Sequence, residues 1–410
     1  MKRHALGTCL AVIGCSGFAA EPVPSEPVRL NAANKPFPHV SWNSADGHSS
    51  LDIGGALRTN YRDEHWQTTE NNGRWLFDSF RLAIQGRHRD FYSELHYWFQ
   101  DNGKRSINRG FIGYRLNPQA SLQLGAPFKP FGLDATPQFD WRNYHIPFFL
   151  GYGSSTGNGL KYSYKDPDWD LQLAYFARML PSSLRYSSEV GRYADLSANA
   201  NAAAQSRQDN EKHHQLNARV ARTFILDDWK TEIGASLASA RLYNASTRDN
   251  GDYWAVGLHA VVNHGPWTLT SQAIRYQFDP KNPTGVSKHS VLMGNNGLSP
   301  AYLIAARASV GALNLWYDIH TPRLGQLKKI KLYSDYSLMR KDQREWDDSQ
   351  MFTLGAHFLA LPVKAWLDLT WARNANPYGG AENASGFTST TSSGSNRWYH
   401  RTNLTIGYYF

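Results

Sequence analysis

The sequence predicts an all-β protein, a transmembrane antiparallel β-barrel of about 16 strands. Three observations predict this fold. From Leu51 onward, segments of about ten residues alternate apolar and polar side chains, the pattern of transmembrane barrel strands. No stretch approaches the roughly 18 consecutive apolar residues of a transmembrane helix. The chain also ends on an aromatic residue, Phe410, after a last alternating segment.

Composition agrees with a single large barrel. The 410-residue chain is 13 % aromatic, with a mean hydropathy of −0.53. Disordered chains are poor in aromatic residues, so disorder is excluded. Length alone suggests two or three domains at about 150 residues each, but 16 strands with long loops consume about 360 residues in one barrel. The soluble alternative is a β-sandwich or a propeller, and no repeat of 40–50 residues supports a propeller.

The strand pattern is clearest at residues 80–87. The apolar residues at even positions would face lipid there, while Arg81, Gln85 and Arg87 would face the interior. A helix would need apolar residues at spacings of three and four, which this segment lacks. Further segments repeat the alternation at residues 160–165, 170–178, 329–338 and 352–358.

Connection lengths predict the topology. Short turns are predicted at residues 89–90, 117–118, 166–168, 226–228, 264–266, 322–325 and 361–362. Long loops are predicted near residues 62–73, 101–106, 128–156, 180–211, 243–251, 278–299, 340–349 and 374–396. Seven turns alternating with eight loops connect 16 strands, with the short turns on the periplasmic side.

The first 20 residues are typical of a secretory signal peptide. Lys2 and Arg3 form its charged region, residues 5–13 form its apolar region, and cleavage is predicted near Ala19 or Ala20. An alternative interpretation is a lipoprotein box, in which Cys15 would be acylated.

The mature chain is predicted to have two parts. Residues 21–48 are rich in Pro, Asn and Ser and lack periodicity, which predicts a flexible periplasmic segment. Residues 49–410 form the predicted barrel domain. Export without an anchoring helix predicts location in the bacterial outer membrane as a multi-pass barrel.

The final strand carries a predicted assembly signal. Leu404, Ile406, Tyr408 and Phe410 fall on one face and close the sequence. A terminal aromatic residue after alternating apolar residues resembles the C-terminal strand that the outer-membrane insertion machinery recognises.

A family resemblance rests on three motifs. In the most characteristic one, a strand ending in Gly125 is followed by Lys-Pro-Phe-Gly-Leu at the opening of a long loop. Together with residues 81–86 and 110–116, this motif resembles the phosphate-selective porin O and P family. The resemblance implies a 16-stranded outer-membrane porin, usually trimeric, whose third outer loop, here residues 128–156, folds into the lumen.

The resemblance also implies a function, a passive diffusion channel for small hydrophilic solutes that prefers anions such as phosphate. The family's best-known members select phosphate through an arginine ladder and a lysine cluster, whose positions do not map onto this chain residue by residue. Alternation nevertheless predicts an inward basic excess of thirteen residues against seven. The basic candidates are Arg58, Arg81, Arg87, Arg89, Arg109, Arg115, Lys161, Lys165, Arg178, Arg219, Lys329, Lys331 and Arg401. The acidic candidates are Asp52, Glu94, Asp170, Glu232, Asp318, Asp335 and Asp368.

An inward basic excess predicts anion preference, because cationic rings in a pore favour anions. The alternative is that these arginines pair with the carboxylates and only brace the wall, which would leave a weakly selective pore. Candidates for the constriction lie in the third loop. They are Lys129, Arg142, His145, Asp134 and Asp140.

The formal charge of +9 predicts anionic partners. For an exported barrel these are outer-membrane lipid, lipopolysaccharide phosphates and small permeating anions, and nucleic acid is not expected. We expect a homotrimer, no enzyme activity, no catalytic residue, no metal and no cofactor.

Two alternative functions stay open. Inward Trp98, Trp316 and Trp366 would suit a channel for sugars or aromatic solutes. A barrel-embedded enzyme would need a serine, histidine and acid cluster at one rim. The string Gly153-Ser-Ser-Thr-Gly157 matches a nucleophile elbow, but it lacks the strand-to-helix turn that this motif requires.

Overall fold

A computed structural model describes much of the chain. The described residues are 39–65, 72–100, 103, 105–135, 145–153, 155–179, 189–190, 208–294, 302–375 and 396–410. Within these ranges it contains 20 strands, a 3₁₀ turn and one short α-helix. None of the described helices is long and apolar enough to cross a membrane. The predicted signal peptide, Cys15 and residues 21–38 lie outside the described residues.

Antiparallel strands make up nearly all of the regular structure. The strands are β1 Val40–Asn43, β2 Ser49–Glu64, β3 Arg74–His88, β4 Phe91–Gln100, β5 Arg105–Arg115, β6 Ala120–Ala126, β7 Asn158–Lys165, β8 Trp169–Arg178, β9 Glu189–Val190, β10 Asn210–Leu226, β11 Trp229–Asn244, β12 Asn250–His264, β13 Trp267–Asp279, β14 Ser290–Gly294, β15 Tyr302–Ala305, β16 Arg307–Leu324, β17 Leu327–Lys341, β18 Ser349–Ala360, β19 Val363–Arg373 and β20 Tyr399–Tyr409. The helix α1 spans Ile146–Phe149.

The main sheet closes into a 16-stranded barrel. It holds 17 strands, of which all but the four-residue β1 are staves of the barrel. Each barrel strand pairs with the barrel strand that follows it in the chain, and β20 pairs with β2 to close the ring. Two- to four-residue turns join the strands at one end, and the longer connections lie at the other. The predicted fold class, strand number and turn positions are confirmed.

Side chains are distributed inside out relative to a soluble barrel. Leu124 and Leu258 on the outer surface are both 65 % exposed, while Thr353 and Asn403 on the inner surface are both 1 % exposed. Outward apolar side chains recur on staves all around the barrel. A closed barrel leaves no unpaired backbone edge, so such an apolar belt can face lipid. The predicted alternation is therefore confirmed, and the barrel spans the outer membrane.

The N-terminal part of the barrel corrects the predicted domain boundary. Residues 21–48 were expected to be flexible, but β1 forms a hairpin with β2 and pairs Val40 with Ile53. Val40 and Trp42 continue the period-two alternation, and both side chains are outward and exposed. β1 therefore pairs with the first part of β2, which β20 does not reach.

The C-terminal residue seals the seam between β20 and β2. Phe410 N donates to Gly55 O at 3.0 Å, and Gly55 N donates to Phe410 O at 2.6 Å. The Phe410 ring lies 6.3 Å from the Phe80 ring on the outer surface. Gly55 is required here, because a Cβ would lie 2.2 Å from Arg81 O. The terminal residue thus belongs to the barrel wall.

Deleting Phe410 should destabilise the barrel by about 2–4 kcal/mol, since it removes two backbone hydrogen bonds and the buried part of a phenyl ring. Urea titration of the refolded barrel in lipid vesicles, followed by tryptophan fluorescence, measures the loss. Phe224→Ala is the matched control, because it removes an exposed outer ring distant from the seam. An equal loss in both variants would contradict a sealing role.

The third long connection enters the lumen. Its 3₁₀ turn, Gly132–Ala135, contacts β11 and β12, and α1 contacts β16 and β17. Since the connection starts and ends on β6 and β7, it must cross the interior of the barrel to make these contacts. Gly132 N donates to Ser236 Oγ at 2.9 Å, and Ile146 N donates to Ser337 Oγ at 3.1 Å. The predicted inward fold of this loop is confirmed.

An apolar core fills part of the outer half of the lumen, and the sequence did not predict it. The short strands β9, β14 and β15 form a separate three-stranded sheet. Residues of β14, β15 and α1 belong to one buried cluster, in which Phe149, Tyr302, Ile304 and Met339 are each 0 % exposed. Tyr302 Oη donates to Phe149 O. The core anchors the inserted loop against one side of the barrel.

Candidate permeation pathway

Basic side chains line the inner wall in clusters around shared carboxylates. The first cluster joins β2 and β3, where Arg58 Nε lies 3.3 Å and Arg81 Nη2 lies 3.9 Å from Asp78 Oδ2. The Arg58 side chain is fully buried, and that of Arg81 is 12 % exposed. One carboxylate therefore serves two guanidinium groups.

The second cluster joins β4 and β5. Arg109 Nε donates to Glu94 Oε1 at 2.6 Å, and His96 Nε2 lies 2.7 Å from the same oxygen. All three side chains are buried. Such a buried, satisfied group is costly to break, because loss of one partner strands the other charge in a site of low dielectric.

The third cluster connects the wall to the inserted loop. Arg219 on β10 lies 3.1 Å from Asp170 and 2.6 Å from Glu232, and its Nε donates to Gly132 O of the loop at 3.0 Å. His259 Nε2 lies 3.2 Å from Glu232 Oε1. Arg219 thus links the inserted loop to the neighbouring strands β8 and β11.

The fourth cluster lies near the short turn that connects β16 to β17. Lys329 Nζ is 2.5 Å and Lys331 Nζ is 3.8 Å from the carboxylate of Asp318. The two lysine side chains are 29 % and 26 % exposed, whereas the arginine side chains of the other clusters are at most 12 % exposed. Water and solutes in the lumen can therefore reach them.

Counting charges in these clusters leaves a positive surplus. Arg58 and Arg81 share Asp78, and Lys329 and Lys331 share Asp318, so each of these two groups carries a net charge of +1. The cluster of Glu94 with Arg109 is neutral when His96 is neutral, and the cluster of Arg219 with Asp170 and Glu232 carries −1 when His259 is neutral. The four clusters together therefore carry +1. The ion pairs therefore do brace the wall, as the alternative interpretation expected. They still leave a net positive charge on the clusters of the inner wall.

The inward tryptophans carry cations on their faces. The Arg81 guanidinium lies 3.6 Å from the ring centroid of Trp98, the Lys331 ammonium 4.3 Å from that of Trp316, and the Arg58 guanidinium 5.5 Å from that of Trp366. The three rings are 2–9 % exposed. Cation–π contact is favourable at such distances, so the tryptophans support the basic clusters and present little free surface to a solute.

The other predicted wall residues take different positions. Lys161 is buried on the inner wall, where its charge interacts with Asp170 and Arg219. Arg401 lies 3.6 Å from Glu64, and the Arg115 guanidinium lies 5.8 Å from the centroid of Tyr92.

Four predicted wall residues lie at the barrel ends. Lys165, Arg87 and Arg89 are exposed at the short-turn end, and Arg178 is exposed at the long-loop end. They are therefore corrected from lining the pore to lying at its mouths. For Arg178 the cause is local, since the pairing of its strand with β7 shifts register between Asn158 and Gly159, next to Arg178.

The constriction candidates are only partly within the described residues. Lys129 is buried inside the barrel, where its Nζ lies 2.8 Å from Met179 Sδ. His145 is the N-cap residue of α1, without a capping hydrogen bond from its side chain, and it is partly buried. Asp134 lies in the 3₁₀ turn, but its side chain is outside the described part, as are Asp140 and Arg142 entirely.

Sequence reasoning missed several inward charges. Lys212 and Lys364 are buried inside at 4 % and 3 % exposure, and Asp78 and Glu64 pair with inward arginines. For Lys364 the signal was present, since Lys364, Trp366 and Asp368 alternate in the sequence. Asp78 sits at a bulge opposite Arg58 and Thr59, where simple alternation fails.

The fold and the charged lumen define a class, the 16-stranded outer-membrane barrels of porin type. Solved structures of this class superpose on the chain. DcaP, an outer-membrane channel of Acinetobacter baumannii, has a TM-score of 0.58 at 12 % identity and covers 90 % of this chain and 99 % of its own. The anion-selective porin from Comamonas acidovorans has a TM-score of 0.56 at 13 % identity, covering 88 % and 100 %.

A third similar structure is the trimer form of OmpT, an outer-membrane protein of Vibrio cholerae, with a TM-score of 0.51 at 11 % identity and coverage of 88 % and 99 %. At such identities the likeness shows the fold. No protein-family model matches the sequence, and no curated protein matches it either. Membership of the phosphate-selective porin O and P family therefore stays a prediction.

Proposed function

We propose that this protein is a passive diffusion channel for small hydrophilic solutes that prefers anions, phosphate among them. One observation carries the proposal: in two inner-wall clusters, a single carboxylate is shared by two basic side chains. Low-dielectric walls focus the resulting positive potential along the lumen and raise the local anion concentration.

The comparisons support the proposal at the level of architecture. The Comamonas acidovorans porin of the same fold is anion-selective, and OmpT of Vibrio cholerae has a trimer form. We accordingly propose a homotrimer in contact with outer-membrane lipid and lipopolysaccharide, without enzymatic activity.

A sugar or aromatic-solute channel is the second candidate. It depends on the inward tryptophans as stacking platforms. Their burial and the cations on their faces favour the anion channel instead.

Planar bilayers with a KCl gradient across them test the anion preference. We expect a reversal potential of the sign given by chloride permeation, and a chloride current that falls when phosphate is added. A reversal potential with the sign of potassium permeation would overturn the proposal. Chemical cross-linking of the protein in outer-membrane vesicles tests the trimer, which predicts a band at three chain masses.

A further inference from the structure

An exposed basic patch lies on the outer surface of the barrel, at the end of the long loops. Arg275 on β13, Arg307 and Ser309 on β16, and Arg340 on β17 form it. Arg275 pairs with Ser309 across one strand boundary, and Ser309 pairs with Arg340 across the next. Because side chains alternate along each strand, these four point away from the lumen, as Leu313 does at 49 % exposure. The patch is therefore separate from the four clusters of the inner wall.

Arg275 and Asp342 form a closed ion pair within the patch. Arg275 Nη1 and Nη2 donate to the two carboxylate oxygens of Asp342 at 2.6 and 2.5 Å, and Nη1 also donates to Ser309 Oγ at 3.3 Å. This bidentate geometry is the strong form of an arginine–carboxylate contact. Asp342 is therefore neutralised by Arg275. The Ser309 hydroxyl, which accepts from Arg275, keeps its own hydrogen to donate.

The other two arginines are held more loosely. Arg340 Nε lies 3.8 Å from Asp348 Oδ2, and the Arg340 side chain is 75 % exposed. Arg307 is exposed on the neighbouring strand, at the position diagonal to Arg340. Diagonal cross-strand neighbours are about 7–8 Å apart, which long side chains can span. Three arginines and two aspartates give the patch a net charge of +1, and the surplus lies at Arg307 and Arg340.

A shallow apolar groove runs from the patch toward the middle of the membrane. Its floor is formed by Ala273 and Gly311, which pair with each other one row nearer the membrane centre. Leu258 and Leu338 flank the floor on the neighbouring strands. A Cβ on Gly311 would meet no atom within 4 Å, so the floor is open to an adjacent hydrocarbon chain.

We propose that this surface binds the phosphorylated glycolipid of the outer leaflet, lipopolysaccharide. A lipid phosphate accepts hydrogen bonds from Arg307, Arg340 and the Ser309 hydroxyl, and one acyl chain lies along Ala273 and Gly311. Charged donors directly above an apolar groove suit a lipid better than a free anion, and the long-loop end of the barrel faces the outer leaflet. The inference rests on the lipid contact proposed above, which it turns into a defined site, and it is independent of the ion preference of the lumen.

Native mass spectrometry of the full-length protein in detergent, without divalent cations, tests the site. The probes are diphosphoryl lipid A, lipid A with its phosphates removed, and inorganic phosphate. We expect one tight site per chain for diphosphoryl lipid A. The dephosphorylated lipid should bind about 25-fold more weakly, because each arginine at a lipid surface contributes about a factor of five. Inorganic phosphate in large excess should not displace lipid A, since it lacks the acyl chains.

Charge variants assign the phosphate contact. Arg307→Gln combined with Arg340→Gln should weaken diphosphoryl lipid A about 25-fold. Asp342→Asn raises the net charge of the patch to +2 and should tighten binding about fivefold. Arg241→Gln is the matched control, because Arg241 is also an exposed, ion-paired arginine on the outer surface at the long-loop end, but it lies outside the patch. It should leave binding unchanged.

A groove variant assigns the acyl contact. Gly311→Trp obstructs the groove without altering a charge, and it should weaken diphosphoryl lipid A about fivefold because apolar contact with the floor is lost. Heat-modifiable mobility in electrophoresis verifies that each variant is folded. Arg340→Gln alone replaces the double variant if the latter does not fold, with an expected loss of about fivefold.

Two results would overturn the site: lipid A affinity that is unchanged when the arginines of the patch are replaced, or displacement of lipid A by inorganic phosphate. Loss of the cross-linked trimer with unchanged lipid binding would assign the patch to a contact between subunits instead. Failure of the proposed function is distinguishable from these results. Cation-selective conduction with intact lipid A binding refutes the anion channel alone, whereas anion selectivity without lipid A binding refutes the site alone.

Discussion

Replacing Lys329 and Lys331 together with glutamine is expected to reduce or reverse the anion preference of the channel. The native cluster carries a net charge of +1, and the double variant leaves Asp318 alone with a charge of −1. A unit charge about 4–8 Å from a permeating ion in water is worth about 0.5–1 kcal/mol. Each charge removed raises the energy of an anion and lowers that of a cation by this amount, so the anion-to-cation permeability ratio should fall about five- to thirtyfold per charge. Reversal potentials in a KCl gradient measure this ratio.

A charge series at this cluster separates electrostatics from altered shape. Lys329→Gln alone gives a neutral cluster, and Asp318→Asn gives a cluster of +2, with little change in side-chain volume. The reversal potential should move steadily through the series, with Asp318→Asn more anion-selective than the native protein. Higher salt should compress all the differences, because the Debye length falls to about 3 Å at 1 M. If the permeability ratio is the same in all these variants, this cluster does not contribute to selectivity.

The exposed cluster is expected to matter more for permeation than the buried ones. Arg58 is fully buried, and Arg109 is 5 % exposed and bonded to Glu94. Removing Arg109 would take the guanidinium partner from the buried Glu94, at a cost of about 3–5 kcal/mol. Removing Arg58 would leave Asp78 with Arg81 alone, at 3.9 Å. Substituting Arg58 or Arg109 is therefore expected to change the stability of the barrel more than its ion selectivity.

The strands were predictable because a membrane barrel applies one simple rule to every residue of its wall. Lipid on one side and water on the other make polarity alternate at period two, so Lys329, Lys331 and Asp335 were assigned inward without knowledge of their partners. The same rule places Leu404 and Tyr408 outward. Local sequence is enough to predict which way a side chain points wherever successive residues simply alternate between lipid and water.

That rule fails where the backbone departs from regular pairing. Asp78 lies at a bulge and was missed. Arg178 lies where the pairing of β7 with β8 shifts register, and it is exposed at the long-loop end although alternation placed it in the lumen. Lys212 was missed for a different reason, because it comes within two residues of the start of β10, where loop and strand are not distinguished by alternation.

The apolar core inside the lumen could not be derived from local patterns. It is made by residues far apart in the sequence, such as Phe149, Tyr302 and Met339, and each contributes to a packed interior only after the barrel has closed. The resemblance to a porin family implied that a loop turns inward. It did not imply that a second connection, which carries β14 and β15, would pack on that loop.

Loosening this core is expected to widen the channel. Replacing Phe148 and Phe149 of α1 with alanine removes two rings that are 1 % and 0 % exposed and that hold the helix on β16 and β17. Each Phe-to-Ala change in a packed core costs about 3–5 kcal/mol, which is enough to release a short inserted segment while the hydrogen-bonded barrel persists. Single-channel conductance in planar bilayers should rise and become noisier, and anion preference should fall because Arg219 no longer holds Gly132 in place.

Graded variants distinguish release of the loop from general damage. Tyr302→Phe removes only the hydroxyl that donates to Phe149 O, worth about 1 kcal/mol, and should give a small rise in conductance. Phe99→Ala removes a ring of the same size from the lipid-facing surface and should leave conductance unchanged. If the double alanine variant is folded by heat-modifiable mobility and conducts like the native protein, the inserted loop does not set the width of the pore. In that case the narrowest section must be formed by the wall clusters themselves, and the Lys329 and Lys331 series should then have the larger effect on current.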